Sequence, residues 1–380
     1  MGTRKTTVRT AVAGALLTTV AVATATGPAA AAAPGGGARC TPGITVLRAL
    51  PGRDGAQTHS TQVNGIGTRG LTVGVSHDKP AYWLGTAVHA VPLPAGATGG
   101  SVEAVNRSGL MVGTLTTASG AKAFSYRPGA GSVTLLPGGE SATAVNDAGH
   151  IVGGRRDRAS GAIVGLEWSG RLLRRELAVP AGYSIEAVTG IDSTGRVIGY
   201  GAGPSGEPSY DIHPALVWSA NPAAAPTTLQ PVGDDYAYYR AQAIDESGRI
   251  AGSYWHTRSL ETTALVWSVP YGDPAYVPSV PGTSNDSFEG ISPTSGVLVG
   301  TASAWDPTRE AAVQALYWPG SGPAKTLPGL APNGFTAAYA VADDDRVAGA
   351  AVDRAGVVRP VVWTCAGKQA YVPNAPAAAR

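Results

Sequence analysis

Apolar residues in this chain come in short runs separated by turn residues, with no stripe at helical spacing. One pattern recurs seven times. It reads small residue, Val or Ile, an Asn/Asp-type residue, two variable positions, usually Gly, one or two more residues, a Val, Ile or Ala, and Gly. The clearest copies are AVNRSGLMVG (104–113), AVNDAGHIVG (144–153), GIDSTGRVIG (190–199) and AIDESGRIAG (243–252). Looser copies are GIGTRGLTVG (65–74), GISPTSGVLVG (290–300) and AVADDDRVAG (340–349), the last with Asp345 where Gly is expected. A second landmark follows each copy, a short apolar run ending at Trp83, Tyr126, Trp168, Trp218, Trp267, Trp318 or Trp363. A third is a short segment ending near Leu-Pro or Val-Pro, as in TLLPGG (134–139) and KTLPG (325–329).

These landmarks predict four strands per repeat. The first strand runs into the Asn/Asp-x-x-Gly turn, the second carries the Val-Gly ending, the third ends at the aromatic, and the fourth precedes Pro. Asn, Asp and Gly suit the tight turn because they enter positive φ at the least steric cost. The final Gly of the pattern recurs at intervals of 39 to 53 residues. A four-stranded antiparallel sheet cannot bury both faces alone, and repetition at this period is the mark of radially packed sheets. The predicted fold is all-β, a β-propeller of about seven four-stranded antiparallel blades, closed by pairing of terminal strands. An open β-solenoid is the competing architecture, but its repeats are usually shorter.

Composition supports the strand reading. The chain has 52 Gly and 29 Pro among 380 residues. Charged residues are 14%, against roughly 25% in an average domain. The 43% of apolar residues is enough for a core.

The N-terminal stretch reads differently. Arg4, Lys5 and Arg9 precede an apolar segment, residues 11–23, and small-residue sites such as Ala21-Val22-Ala23 follow. This is the pattern of a secretory signal peptide. The segment falls short of the about 20 residues that span a bilayer. The expected organisation is a signal and Ala-rich cleavage region over 1–33, a linker over 34–43, one repeat domain over 44–373 and a flexible tail over 374–380. The expected location is secreted, without a transmembrane segment in the mature chain. Loss of the three basic residues leaves 25 basic against 26 acidic ones. A near-neutral chain has no basic block for a phosphate backbone, so no nucleic-acid partner is expected.

The stretch KAFSYRPGAGSVTLLPGGESATAVNDAGHIVGG (122–154) resembles the repeat of the extracellular HAF family. The His-Ala-Phe step that names the family is Lys122-Ala123-Phe124 here. Other units depart from it, with PAL at 214–216, TAL at 263–265 and QAL at 314–316. The agreement covers essentially residues 44–373. The resemblance implies export and repeated units, and brings no catalytic residues.

A strand-like segment, ITVLRAL (44–50), stands ahead of the first copy. Cys40 lies just before it, and Cys365 just after the third strand of the last unit. Third and fourth strands are antiparallel neighbours, which predicts a Cys40–Cys365 disulfide fastening the N-terminal segment onto the last unit. Export suits such a bond. Two unpaired thiols are the alternative. AGKQAYVPN (366–374) fits the same edge by its spacing from Trp363, so both termini compete for it.

Connections other than the Asn/Asp-Gly turn vary in length and emerge on the opposite face, where function usually lies. Three segments there combine aromatic and polar groups. Residues 234–240 hold Asp235, Tyr236, Tyr238 and Arg240. Residues 254–258 hold Trp255 and His256. Residues 305–309 hold Trp305 and Asp306. Such groups suit an extracellular glycan or a protein chain, and packing of loops is the plainer use. Two positions before the Val/Ile of each copy stand Asn64, Glu103, Thr143, Thr189, Gln242, Glu289 and Tyr339. Glu103, Gln242, Glu289 and Tyr339 are expected channel-lining residues, with Glu103 and Glu289 too far apart for a close acid pair. No His-x-x-x-His, Cys-x-x-Cys or Gly-x-Ser-x-Gly with strand–helix context occurs. Asp211-x-His213 reads as incidental, and Asp343, Asp344 and Asp345 read as turn residues. The expectation is a monomeric binding or scaffolding protein with no cofactor, no metal and no catalytic residue. The alternative is a hydrolase or lyase acting at the channel mouth.

Overall fold

The computed structural model describes residues 40–51, 61–204, 211–229, 237–257, 259–304 and 313–373. The proposed signal region, the linker up to residue 39 and the tail 374–380 lie outside them. So do Asp235, Tyr236, Trp305 and Asp306.

The fold is all-β, and each copy of the repeat becomes a run of antiparallel strands. In unit one Thr61–Ile66 pairs with Leu71–Ser76, then Lys79–Leu84, then Ala87–Ala90. Unit two repeats this order with Ala97–Val105, Met111–Thr117, Gly120–Tyr126 and Thr134–Leu135. Unit three has Ser141–Val145, His150–Arg156, Ile163–Ser169 and Leu172–Glu176. Unit four has Ser184–Ile191, Val197–Pro204, Ala215–Trp218 and Thr227–Leu229. Unit five has Ala237–Ile244, Ile250–His256, Glu261–Trp267 and Ala275–Tyr276. Unit six has Asn285–Ile291, Leu298–Ser303, Val313–Trp318 and Lys325–Thr326. Unit seven has Thr336–Val341, Val347–Val352 and Val358–Thr364, and takes Gly43–Val46 from the N-terminal end as its fourth strand.

The first two strands of every unit meet at a turn that needs positive φ. Gly70, Gly109, Gly149, Gly195, Gly248 and Gly296 supply it at 79° to 85°, and Asp345 adopts 61° in the same place. The Asn/Asp of the pattern has a second task. Asn106 Oδ1 accepts from Ser108 N and Leu110 N, closing the turn. Its Nδ2 donates to Asn146 O of the next unit at 2.8 Å, and Asn146 Nδ2 donates to Asp192 O at 2.8 Å. An Asp cannot donate in this way. Where Asp replaces Asn, an Arg four residues on pairs with it instead, Asp192 with Arg196 and Asp245 with Arg249.

Neighbouring units also share side chains. Trp168 is fully buried and its Nε1 donates to Pro137 O of the preceding unit. Trp218 donates to Ala178 O, Trp363 to Pro328 O, and Trp83 of unit one to Arg48 O beyond the N-terminal strand. Arg346 of unit seven donates to Gly67 O of unit one at 2.9 Å. Val63 and Trp83 of unit one share an apolar cluster with Ala348 and Val362 of unit seven.

The two cysteines of the chain, Cys40 and Cys365, are disulfide-bonded. The contest between the termini ends because Cys365 is left-handed (φ 51°) and turns the chain into the short helix Ala366–Gln369. Asp345 fixes this turn through its carbonyl on Ala366 N and its Oδ2 on Gly367 N. The chain then reaches the preceding unit, where Tyr371 bridges Thr326 at the outer edge.

Tyr317 donates to Asp345 Oδ1 at 3.0 Å. Burial pushes the phenol of Tyr317 well above its ordinary value, and the Asp345 carboxylate pushes it further. A phenol raised in the folded state keeps its full contribution below the unfolded value of about 10 and loses it as pH climbs beyond. The thermal midpoint is therefore expected to hold level to about pH 10 and fall above it. Scans of Tyr317→Phe should show a shallower fall, and an equal slope would refute the assignment.

Candidate functional site

The first strand of every unit carries a β-bulge at one equivalent place. The register skips between Val63 and Gly65, Val102 and Ala104, Ala142 and Ala144, and Val188 and Gly190. It skips again between Ala241 and Ala243, Phe288 and Gly290, and Ala338 and Ala340. The extra residues are Asn64, Glu103, Thr143, Thr189, Gln242, Glu289 and Tyr339. A bulge re-aims a side chain out of the pleat, and all seven residues line one cavity of about 310 Å³. At one end of it Ile66, Val105, Ile191 and Ile244 also line a second cavity of about 260 Å³, which opens among the Asn/Asp-Gly turns. Arg107 spans that end, with its guanidinium 3.3 Å from Asp147 and 3.0 Å from Asp343.

The polar lining divides into two sectors. In units one to four the bulged side chains tie neighbours together. Asn64 Nδ2 donates to Val102 O and to Glu103 Oε2, Thr143 Oγ1 to Val188 O, and Thr189 Oγ1 to Ala241 O. Glu103 also accepts from Ser101. In units five to seven Gln242 and Tyr339 make no side-chain hydrogen bond among the described residues. Among the described residues Glu289 accepts only from Ser287, at 3.1 Å. Burial raises the Glu289 carboxyl above its ordinary value, while Ser287 and the Arg240 charge pull it back. Burial also raises the Tyr339 phenol, and Glu289 adds to the effect. Glu103 and Glu289 have separate partners and no short contact.

Tyr238 and Arg240 were expected on a loop but stand on the strand Ala237–Ile244, and Trp255 on its partner Ile250–His256. Pairing runs to the ends of both strands because Tyr238 faces Trp255 and Tyr239 faces Tyr254 across the ladder, and such aromatic pairs stabilise an antiparallel ladder. His213 stacks on Tyr238 at 3.7 Å, and Tyr238 meets Trp255 at 5.0 Å. His213 Nδ1 lies 3.1 Å from a Glu186 carboxylate oxygen. Arg240 lies over the Tyr200 ring at 5.5 Å. Burial raises the Tyr200 phenol; Arg240 opposes this, and Glu186 and Glu289 reinforce it. These relations gather His213, Tyr238, Trp255, Arg240, Tyr200, Glu186 and Glu289 in units four to six. His256 stands apart, its Nδ1 accepting from Ser259 N in the hairpin turn.

Sequence reading missed Glu186, Tyr200 and His213. Asp-x-His was visible at 211–213, but only the bridge from His213 to Tyr238 brings that histidine beside the aromatic pair.

No family model matches the chain, and no curated protein matches it. Among solved structures it is similar to the β-propeller domain of the Trilobed protease from Pyrococcus furiosus, with a TM-score of 0.55 and 9% identity. The likeness covers 80% of this chain and 95% of that one. The fold is a β-propeller. That domain has an open velcro topology. A looser likeness joins it to a gluconolactonase from Xanthomonas campestris, at a TM-score of 0.39 and 13% identity over 81% of this chain and 88% of that one. At these identities the likeness concerns the propeller fold alone.

Proposed function

We propose that this is an exported propeller of the HAF-repeat kind, with seven blades in a closed ring, and that it works by binding an extracellular ligand. Export is supported by the basic and apolar N-terminal pattern and by the Cys40–Cys365 bond. Closure is supported by the N-terminal strand in the last unit and by the Trp83 and Arg346 bonds that repeat the junctions between other units. The observation that carries the binding reading is the array of His213, Tyr238 and Trp255, whose Tyr238 shares the strand Ala237–Ile244 with Arg240 and with Gln242 of the cavity lining, neither of which makes a side-chain hydrogen bond among the described residues. Aromatic faces next to free hydrogen-bonding groups suit a sugar or a peptide chain.

The test is retention of the protein on immobilised extracellular polysaccharides and secreted proteins. Trp255→Ala is expected to weaken retention at least tenfold, about 1.4 kcal/mol, with the protein still folded and its stability lowered only by about the 0.2–1 kcal/mol of one cross-strand pair. Unaltered retention would remove the array from the site. A hydrolase or lyase at the same mouth is the second reading, favoured by the two carboxylates, Glu186 and Glu289, that act on Tyr200. It requires turnover that Glu289→Gln abolishes in a folded protein.

A further inference from the structure

We propose that the ligand is an acidic polysaccharide, with a sugar carboxylate held by Arg240 and the sugar ring laid against Trp255. This rests on the binding reading above and adds the chemistry of the ligand.

The first reason is an imbalance of donors and acceptors. Arg240 carries five N–H donors and no acceptor, and none of them is bonded among the described residues. The hydroxyls of Tyr200 and Tyr339, the amide of Gln242 and the indole N–H of Trp255 are likewise unbonded there. The nearby carboxylates Glu186 and Glu289 face His213 and Ser287, and neither bonds to Arg240 among the described residues. A partner for this surface must bring acceptors, and a negative charge satisfies Arg240 best.

The second reason is shape. Arg240 is held over the Tyr200 ring, so the guanidinium is partly oriented before any ligand arrives. A planar fork of donors matches a planar carboxylate with two parallel bonds, which a compact ammonium cannot do. The half-buried indole of Trp255 meets Tyr238 at a tilt of 55°, and the part of its surface not covered by that contact suits the C–H face of a sugar ring. The near-neutral mature chain lacks the extended positive field that a nucleic acid requires.

The experiment is calorimetric titration with oligogalacturonate, oligoalginate and oligoglucuronate, each beside its carboxyl-reduced counterpart. The wild-type protein is expected to bind at least one uronate oligomer tenfold or more tightly than the reduced form. Arg240→Ala should erase that preference, and Arg240→Lys should weaken uronate binding at least tenfold. Trp255→Ala should weaken charged and reduced oligomers alike. Equal binding of both forms, or a preference that survives Arg240→Ala, overturns the carboxylate inference. In that case loss of the reduced oligomer in Trp255→Ala would keep the binding reading alive. Binding of none of the oligomers, or binding only of poly(glycerol phosphate) or an acidic peptide, overturns the uronate assignment. A cooperative thermal transition well above the assay temperature in every variant excludes unfolding as the cause.

Discussion

Gly153→Ala is expected to destabilise the protein by about 3 kcal/mol or more, while Gly131→Ala leaves it within about 0.5 kcal/mol. Gly153 ends the repeated pattern in unit three, on the second strand. The bulge at Thr143 brings the first strand close, and a Cβ on Gly153 would lie under 3.0 Å from Ser141 O and from the Ala142 Cα. Both are backbone atoms of a buried sheet, so no rotamer change relieves the overlap. The same obstruction meets a Cβ on Gly74, Gly113, Gly199, Gly252, Gly300 and Gly349, each against the first strand of its own unit. Gly131 has open space and no left-handed φ. Urea unfolding of both variants checks this, and a mild effect at Gly153 would mean that the bulge is not held in place.

That glycine marks where sequence reading reached its limit. The Asn/Asp-Gly turn was legible because it follows from local steric rules, and Asp345 at φ 61° obeys them even where Gly is absent. The final Gly was visible as a landmark, but its cause is a bulge on another strand. The polar residues at 64, 103, 143, 189, 242, 289 and 339 were legible as a column. Their shared role as bulged residues was not, since a bulge is a mismatch between two strands. The N-terminal strand on the last unit was readable because ITVLRAL (44–50) stands as an extra strand-like segment ahead of the first copy, with Cys40 and Cys365 placed to fasten it there. The rerouting of the C-terminal segment was not, because it turns on the backbone of one residue, Cys365, and on side-chain bonds from Asp345. The pairing of Asp at 192 and 245 with Arg at 196 and 249 stood in the sequence throughout. Comparison among the repeats was the signal that could have exposed it.

The candidate site was half legible for a related reason. Tyr238, Arg240 and Trp255 drew notice by composition, whereas His213 and Glu186 belong to unit four and meet them only through packing between units. Repeated units tell a reader what each blade does alone. The features that break the repeat mark the places where one blade differs from the rest.

Unit three holds another such break, and it makes Arg175→Ala a costly substitution. The residue before the aromatic is Tyr82, Ser125, Val217, Val266, Tyr317 or Val362 in the other units, but Glu167 here. Glu167 is fully buried, 2.6 Å from Arg175 and 2.5 Å from Arg174, with His150 at 3.2 Å. Arg174 keeps 38% of its side chain exposed, whereas Arg175 keeps 10% and also donates to Ser219 O of the next unit. Taking Arg175 away leaves the buried carboxylate to the more exposed Arg174 and to His150, and unties two units, at an expected cost of about 2 kcal/mol. Glu167→Val installs what units four, five and seven carry, so its loss should be smaller, because Arg174 can turn to water and the new side chain packs. Urea midpoints of the two variants should therefore differ, with Arg175→Ala the lower. If Glu167→Val proves the more damaging of the two, the buried charge is itself a source of stability rather than a group that Arg175 must neutralise.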